Sequence, residues 1–147
     1  MFRLDGKVAL ITGAAGGLGD KIARTLHAQG AVLALTDMRA EPMEKLKAEL
    51  GGNVEVFVAN LTNPEDVKNL VKNVEEKLGR IDILVNNAGL TRDNLFIRMS
   101  DEDWQVVLDV NLSAGFKLAK AAVRGMMKRH FGRIIGIASV VGVTGNA

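Results

Sequence analysis

The 147-residue chain contains no cysteine and no tyrosine. The first absence excludes disulfides, thiolate metal sites and cysteine nucleophiles in one step. The second removes the phenol from the proton donors the chain can use by itself. No apolar run approaches the ~18 residues needed to span a bilayer, and Met1-Phe2-Arg3-Leu4-Asp5 opens without the apolar core of a signal segment. The expectation is a cytoplasmic protein with no membrane partner. Charge of one sign is not in excess: 19 Lys and Arg stand against 17 Asp and Glu, a net +2. Nothing here requires nucleic acid. Repeats, low-complexity tracts and linkers are also missing. One domain over residues 1–147 is therefore expected, with enough chain to bury a core.

What is present alternates short apolar runs with longer amphipathic ones. Strands are predicted at 8–12, 31–36, 54–58, 81–85 and 133–138, and helices at 17–29, 41–50, 64–78 and 101–130. The helix at 64–78 is the best marked. Asn63 can cap it, Pro64 suits its first position, and Val67, Leu70, Val71, Val74 and Leu78 recur at helical spacing before Gly79 stops it. Ser100 with Asp103 resembles a capping box, and a bend near 111–114 divides the long helical stretch. Strands alternating with helices of ten or more residues predict right-handed βαβ units. The expected architecture is a Rossmann-type, doubly wound parallel sheet of order 3-2-1-4-5. In such a sheet ligands lie beyond the carboxyl ends of the strands.

A particular set of residues falls at those ends. The first strand runs into Thr12-Gly13-Ala14-Ala15-Gly16-Gly17-Leu18-Gly19 and then a helix. Backbone N–H groups and the positive end of the helix dipole bind a pyrophosphate there without charged side chains. The spacing is G-x-x-x-G-x-G, and a plain tight turn is the bland alternative for the glycines taken alone. After the second strand comes Asp37, positioned to accept from adenosine ribose hydroxyls and to repel a 2′-phosphate. A solvated turn residue is the bland alternative. Asn60 and Leu61 follow the third strand, Asn86-Asn87-Ala88-Gly89 the fourth, and Ser139 the fifth. An Asx turn at Asn86-Asn87 and an ordinary strand-end hydroxyl at Ser139 are the competing readings. The joint placement favours a ligand site.

The set Thr12-Gly13-x-x-x-Gly17-x-Gly19, Asn86-Asn87-Ala88-Gly89, Val110-Asn111-Leu112 and Ile137-Ala138-Ser139 resembles the short-chain dehydrogenase/reductase family, in the family's order and over the whole chain. Residues 89–95, Arg98-Met99 and the run from Ser139 to Asn146 are similar to the bacterial 3-oxoacyl-[acyl-carrier-protein] reductases of fatty-acid elongation. The resemblance implies that Thr12, Gly13, Gly16, Gly17, Leu18 and Gly19 shape the pyrophosphate turn. By the same carry-over Asp37 addresses the ribose, Asn60 and Leu61 border the adenine, and Asn87, Ala88 and Gly89 flank the cofactor ribose while Asn86 braces the central strands. Asn111 then holds a water of the proton relay and Ser139 binds the substrate carbonyl. It further implies an acyl carrier protein and its 3-oxoacyl thioester as partners, and a homotetramer when complete.

Two departures qualify the resemblance. The family's acid is a tyrosine about a dozen residues past the serine, with a lysine four later that lowers its pKa from ~10. Neither the tyrosine nor that motif is in this chain, which reads as the N-terminal half to two-thirds of such an enzyme and is expected to be inactive alone. Another short-chain dehydrogenase, or a dinucleotide-binding fragment, is the alternative. The second departure concerns the cofactor. Gly16 and Asp37 stand where NADP-preferring reductases carry a base, so NAD(H) is expected, with NADP(H) the alternative and Arg39 the residue that complicates the choice. Lys128, Arg129, His130 and Arg133 form a basic cluster, read either as a solvated helix end or as a docking patch for an acidic carrier. The fifth strand is expected to be a bare edge, beside an exposed apolar helix face of Phe116, Val123, Met126 and Met127.

Overall fold

The structure, a computed structural model, describes residues 2–145, so Asn146 of the Ser139 motif lies outside the described residues. In chain order the elements are β1 (Val8–Thr12), α1 (Gly17–Ala28), β2 (Val32–Asp37), α2 (Ala40–Leu50), β3 (Val54–Val58), α3 (Pro64–Leu78) and β4 (Ile83–Asn86). A 3-10 turn at Phe96–Arg98 follows, then α4 (Asp101–Leu108), a π-turn (Asp109–Ser113), α5 (Ala114–Lys128), β5 (Arg133–Gly136) and the short α6 (Val141–Thr144). All strand pairs are parallel, in the order β3-β2-β1-β4-β5. The order reverses beside β1, which opens the crevice for a ligand between the ends of β1 and β4.

Period-two side-chain alternation divides the core between the two sheet faces. Leu10, Ala34 and Leu84 pack under α3 and α5 with Val67, Leu70, Val71 and Val74. Ala9, Ile11, Leu33, Leu35 and Val85 pack under α1 and α2 with Ala23, Met43 and Leu46. Every residue of β1 is buried, as a central parallel strand covered on both faces must be. No helix among the described residues is long and apolar enough to cross a membrane.

The capping residues do what their chemistry predicts. The Asn63 side chain accepts from the Glu65 N–H, Pro64 opens α3, and Gly79 ends it at φ 81°. Ser100 Oγ accepts from the Asp103 N–H, while Asp103 accepts from that hydroxyl and leaves the Ser100 N–H alone. The long helical stretch is divided by the π-turn, which is wound one residue wider than the α-helix on either side. One expectation is corrected here: Met126 is buried in the α3–α5 core, because Leu118, Ala122 and Met126 repeat every fourth residue on the inner face of α5. Phe116, Val123 and Met127 do lie outside.

A charged cluster ties the amino-terminal end of the sheet together. Asp82 is fully buried, accepts from the Val8 N–H at 3.0 Å, and sits 2.7 Å from Arg80 Nη2 and 3.8 Å from Arg129 Nε. Arg129 also donates to the Ile81 carbonyl at 2.6 Å. A buried carboxylate persists only when its lone pairs are occupied in this way. Arg129 is consequently turned into the protein, and the basic cluster read from the sequence loses that member.

Candidate active site

At two positions of the glycine turn, Gly13 and Gly19, backbone contacts leave no room for a side chain. Gly13 has φ 65°, in the left-handed region, and a β-carbon there would lie 2.9 Å from the Ala88 Cα. At Gly19 the β-carbon would land on the Gly13 carbonyl oxygen. The turn and the β4 loop are thus packed backbone to backbone. Helix α1 begins at Gly17 behind an N-cap, Gly16, that has no side-chain cap bond. Its first N–H groups face the crevice, where Gly13, Gly16, Gly17, Leu18 and Gly19 share a cleft with Asp37.

Thr12 is the hub of the crossing. Fully buried, its hydroxyl accepts from the N–H groups of Asn87 (3.0 Å) and Ala88 (2.9 Å) and donates to the Val85 carbonyl (3.3 Å). The Asn87 amide returns two bonds, to the carbonyls of Thr12 (2.9 Å) and Gly13 (3.2 Å). Asn87 therefore bridges β1 and the β4 loop and forms no local Asx turn. Asn86 donates weakly to the Gly115 carbonyl at 3.4 Å, and its Oδ1 has no partner among the described residues.

Asp37 is not a solvated turn residue: its side chain is only 14% exposed. One oxygen accepts from the Ala15 N–H at 3.3 Å and the other from the Arg39 N–H at 3.2 Å. The Arg39 guanidinium lies 3.4 Å from the same carboxylate and donates to the Ala15 carbonyl, while remaining 64% exposed. Asp37, Asn60 and Leu61 border a second, more apolar recess that reaches Ala88 and Gly89. Asn60 closes its own turn there by accepting from Thr62 N (3.0 Å) and Thr62 Oγ1 (2.8 Å).

At the far end of the crevice, Asn87, Gly89, Asn111 and Ser139 line one cleft of about 870 Å³. The Asn111 side chain sits in the π-turn and makes a reciprocal pair with Leu90, accepting from its N–H and donating to its carbonyl, each at 2.9 Å. Ser139 is exposed, and its hydroxyl receives only a long 3.4 Å contact from the Val141 N–H. It is free to engage a ligand. The candidate cofactor and catalytic residues line three clefts that share Ala88 and Gly89, in the order glycine turn, Asp37, Asn60 and Leu61, Asn87 to Gly89, then Asn111 and Ser139, whereas the basic cluster lies apart from them. Sequence reasoning passed over Leu90, whose backbone partners Asn111, and Asp82. The signal for Asp82 was available: a carboxylate between Ile81 and Ile83 in an otherwise apolar strand.

Comparison with known proteins agrees with this geometry. Residues 7–147 match the family model for short chain dehydrogenase. Nodulation protein G of Rhizobium sp. (strain N33) is 57% identical over 146 residues, which cover 99% of this chain and 60% of that protein. The 3-oxoacyl-[acyl-carrier-protein] reductase FabG of Salmonella typhimurium is 46% identical over 143 residues, 97% of this chain and 59% of that protein. Its Escherichia coli (strain K12) counterpart is 45% identical over 142 residues, 97% and 58%. The chain spans about three-fifths of the length of these curated relatives. With the family model covering nearly its whole length, the chain belongs to the short chain dehydrogenase family.

Proposed function

We propose that this chain carries the dinucleotide site and part of the substrate-orienting apparatus of a nicotinamide-dependent 3-oxoacyl thioester reductase, with NAD(H) as its preferred cofactor. The observation that carries the reading is the run of three clefts, from the glycine turn past Asp37 to Ser139, that share Ala88 and Gly89 as a common wall. The residues fit a dinucleotide: Gly13, Gly16, Gly17 and Gly19 line the cleft without β-carbons, at the N-terminus of α1. When bound, the nicotinamide supplies the hydride. The Gly13–Gly19 backbone holds the pyrophosphate, and Asp37 accepts from the adenosine ribose hydroxyls in charge-assisted bonds. Asn60 and Leu61 border the adenine, while Asn87, Ala88 and Gly89 flank the second ribose. Ser139 Oγ donates to the ketone oxygen and orients it. The Asn111 side chain is committed to Leu90, so a relay water is held by the main chain of the π-turn. The general acid that the family resemblance implies is a tyrosine, which this sequence does not contain. The reductases named above act on carrier-linked substrates, which supports an acyl carrier protein as partner and a homo-oligomer as the working form.

Titrating the 147-residue chain with NADH and with NADPH tests the cofactor site. A 2′-phosphate set against the Asp37 carboxylate costs about 1–3 kcal/mol, so NADH is expected to bind about 5–150-fold more tightly. Binding of neither nucleotide overturns the proposal, and tighter NADPH binding reverses the preference. Offered NADH and a 3-oxoacyl thioester, the chain alone should show no turnover, since general acid catalysis is worth about 10²–10⁴-fold. Turnover at the rate of the full-length relatives would remove the need for a tyrosine.

A further inference from the structure

The segment that leads into β1 contains the chain's only aspartate or asparagine followed directly by glycine, Asp5-Gly6. It sits in a tight turn. The Lys7 N–H donates to the Leu4 carbonyl at 2.9 Å, and Gly6 stands at φ 69°, in the left-handed region. That bond closes around the Asp5-Gly6 peptide and leaves the Gly6 N–H without an acceptor among the described hydrogen bonds. Nothing lies within 4 Å of the place a Gly6 β-carbon would take, and the Asp5 side chain is 63% exposed. The Gly6 nitrogen therefore follows an open carboxyl with neither a side chain of its own nor a neighbour to crowd it.

What occupies that carboxyl is Arg3. Its Nε donates to Asp5 Oδ2 at 3.0 Å and its Nη2 to Asp5 Oδ1 at 2.6 Å, a fork matched to a carboxylate. The pair is seated on bare backbone. Gly30, at φ 94°, has no β-carbon, and one placed there would land on Asp5 Oδ1 and 3.2 Å from Arg3 Nη2. The Arg3 hydrogen bonds hold the Asp5 carboxyl below the usual carboxylate range. An exposed pair of this kind adds little to stability, and its consequence is chemical. An ionised carboxylate resists attack at its carbon, because the group expelled would be oxide and not water.

We propose that Asp5-Gly6 is a site of spontaneous isomerisation to isoaspartate, and that the Arg3 clamp sets its rate. The Gly6 nitrogen, its proton lost to solvent, attacks Asp5 Cγ. A nitrogen–carbon bond forms, the bond from Cγ to the protonated carboxyl oxygen breaks, and water leaves a five-membered succinimide. Water then adds at the Asp5 main-chain carbonyl and cuts its bond to nitrogen. The chain now runs through Cγ, with a free α-carboxylate and no change in mass or oxidation state. The product lengthens the main chain by one methylene inside a turn whose two flanks are tied down. Leu4 N–H donates to the Gln29 carbonyl at 2.8 Å, and the Lys7 carbonyl accepts from Val32 N–H at 2.8 Å. Isomerisation thus loosens the end of the sheet where β1 and β2 begin.

Ageing the complete 147-residue chain in neutral buffer tests this, with isoaspartate located by peptide mapping and electron-transfer fragmentation. Isoaspartate is expected at residue 5 ahead of every other aspartate, and Asp5→Glu, which would need a six-membered ring, should abolish it. Arg3→Gln should raise the rate about threefold or more, as a carboxyl returned to its ordinary pKa is protonated more often. Salt screens an exposed pair, so it should speed the unmodified chain toward Arg3→Gln and gives the same test without a substitution. In urea the two chains should isomerise at one rate, since the clamp belongs to the folded protein. In the aged folded chain the Val32 amide should exchange faster with deuterium. No isoaspartate at residue 5 of Arg3→Gln overturns the proposal. So do equal rates in the two folded chains, or a difference that persists undiminished in urea.

Discussion

Two residues decide what the crevice does, Thr12 by geometry and Asp37 by charge. The Thr12 hydroxyl is the only acceptor of the Ala88 N–H among the described hydrogen bonds, whereas the Asn87 N–H shares it with the Val85 carbonyl at 3.1 Å. Thr12→Val keeps the shape and orphans the Ala88 donor, at about 1–3 kcal/mol of stability. Denaturant melts should show that loss, NADH affinity should fall with it, and Thr12→Ser should restore both. A variant as stable as the parent would mean that the Ala88 N–H finds water. The Asp37 and Arg39 pair makes an opposed prediction. Asp37→Ala removes the repulsion toward a 2′-phosphate and should relax the preference for NADH. Arg39→Ala removes the cation that could pair with the phosphate and should sharpen it. Parallel titrations of both variants give the two ratios, and movement in the same direction contradicts the assignment.

At the scale of elements, two helix ends show how far local chemistry reaches. Helix α3 ends on Gly79 at φ 81°, where a left-handed residue is needed and glycine supplies it without strain. Helix α5 reaches its left-handed residue one position later, at His130 beyond the cap Arg129, with φ 53°, where the β-carbon makes that conformation costly. His130→Gly should therefore raise stability by about 0.5–1 kcal/mol, and an unchanged or lower thermal midpoint would show the imidazole to hold that end in place. The contrast explains what the sequence makes legible. Helix α3 has the predicted bounds because cap, first-turn proline, apolar period and terminal glycine all agree. The strand order follows from the alternation of elements. The π-turn at Asp109–Ser113 was visible only as a bend, since one extra residue per turn leaves no compositional mark. Helix α6 and the turn at Phe96–Arg98 are too short to show a period. In the crevice, residue identities were readable from glycine, asparagine and acid at strand ends. Their mutual bonds were not, because Thr12 and Asn87 lie 75 residues apart. Met126 and Arg129 were misplaced for a related reason: composition marks a side chain as apolar or basic without saying which way the helix turns it.

Both outer strands of the sheet, β3 and β5, pair on one side only. Strand β5 pairs only with β4, and every one of its residues is exposed. Ile134 and Ile135 are 46% and 42% exposed, on opposite faces of the pleat. Along β5 the amides alternate. Arg133 N–H donates to the Asp82 carbonyl and Ile137 N–H to the Asn86 carbonyl, so Ile135 N–H points the same way and the amides of Ile134 and Gly136 point to the open edge. Amide hydrogen exchange on the 147-residue chain should therefore split by residue parity. Ile134 and Gly136 should exchange near the rate of unprotected amides, with Ile135 slower and the amides of β1 slowest of all. The same measurement separates two routes of self-association. An open edge with apolar side chains is a template for pairing with another strand, and pairing there would slow Ile134 and Gly136 as concentration rises. Association through any other surface leaves those two amides fast at every concentration, so protection of Ile134 and Gly136 that grows with concentration puts the contact at the sheet edge.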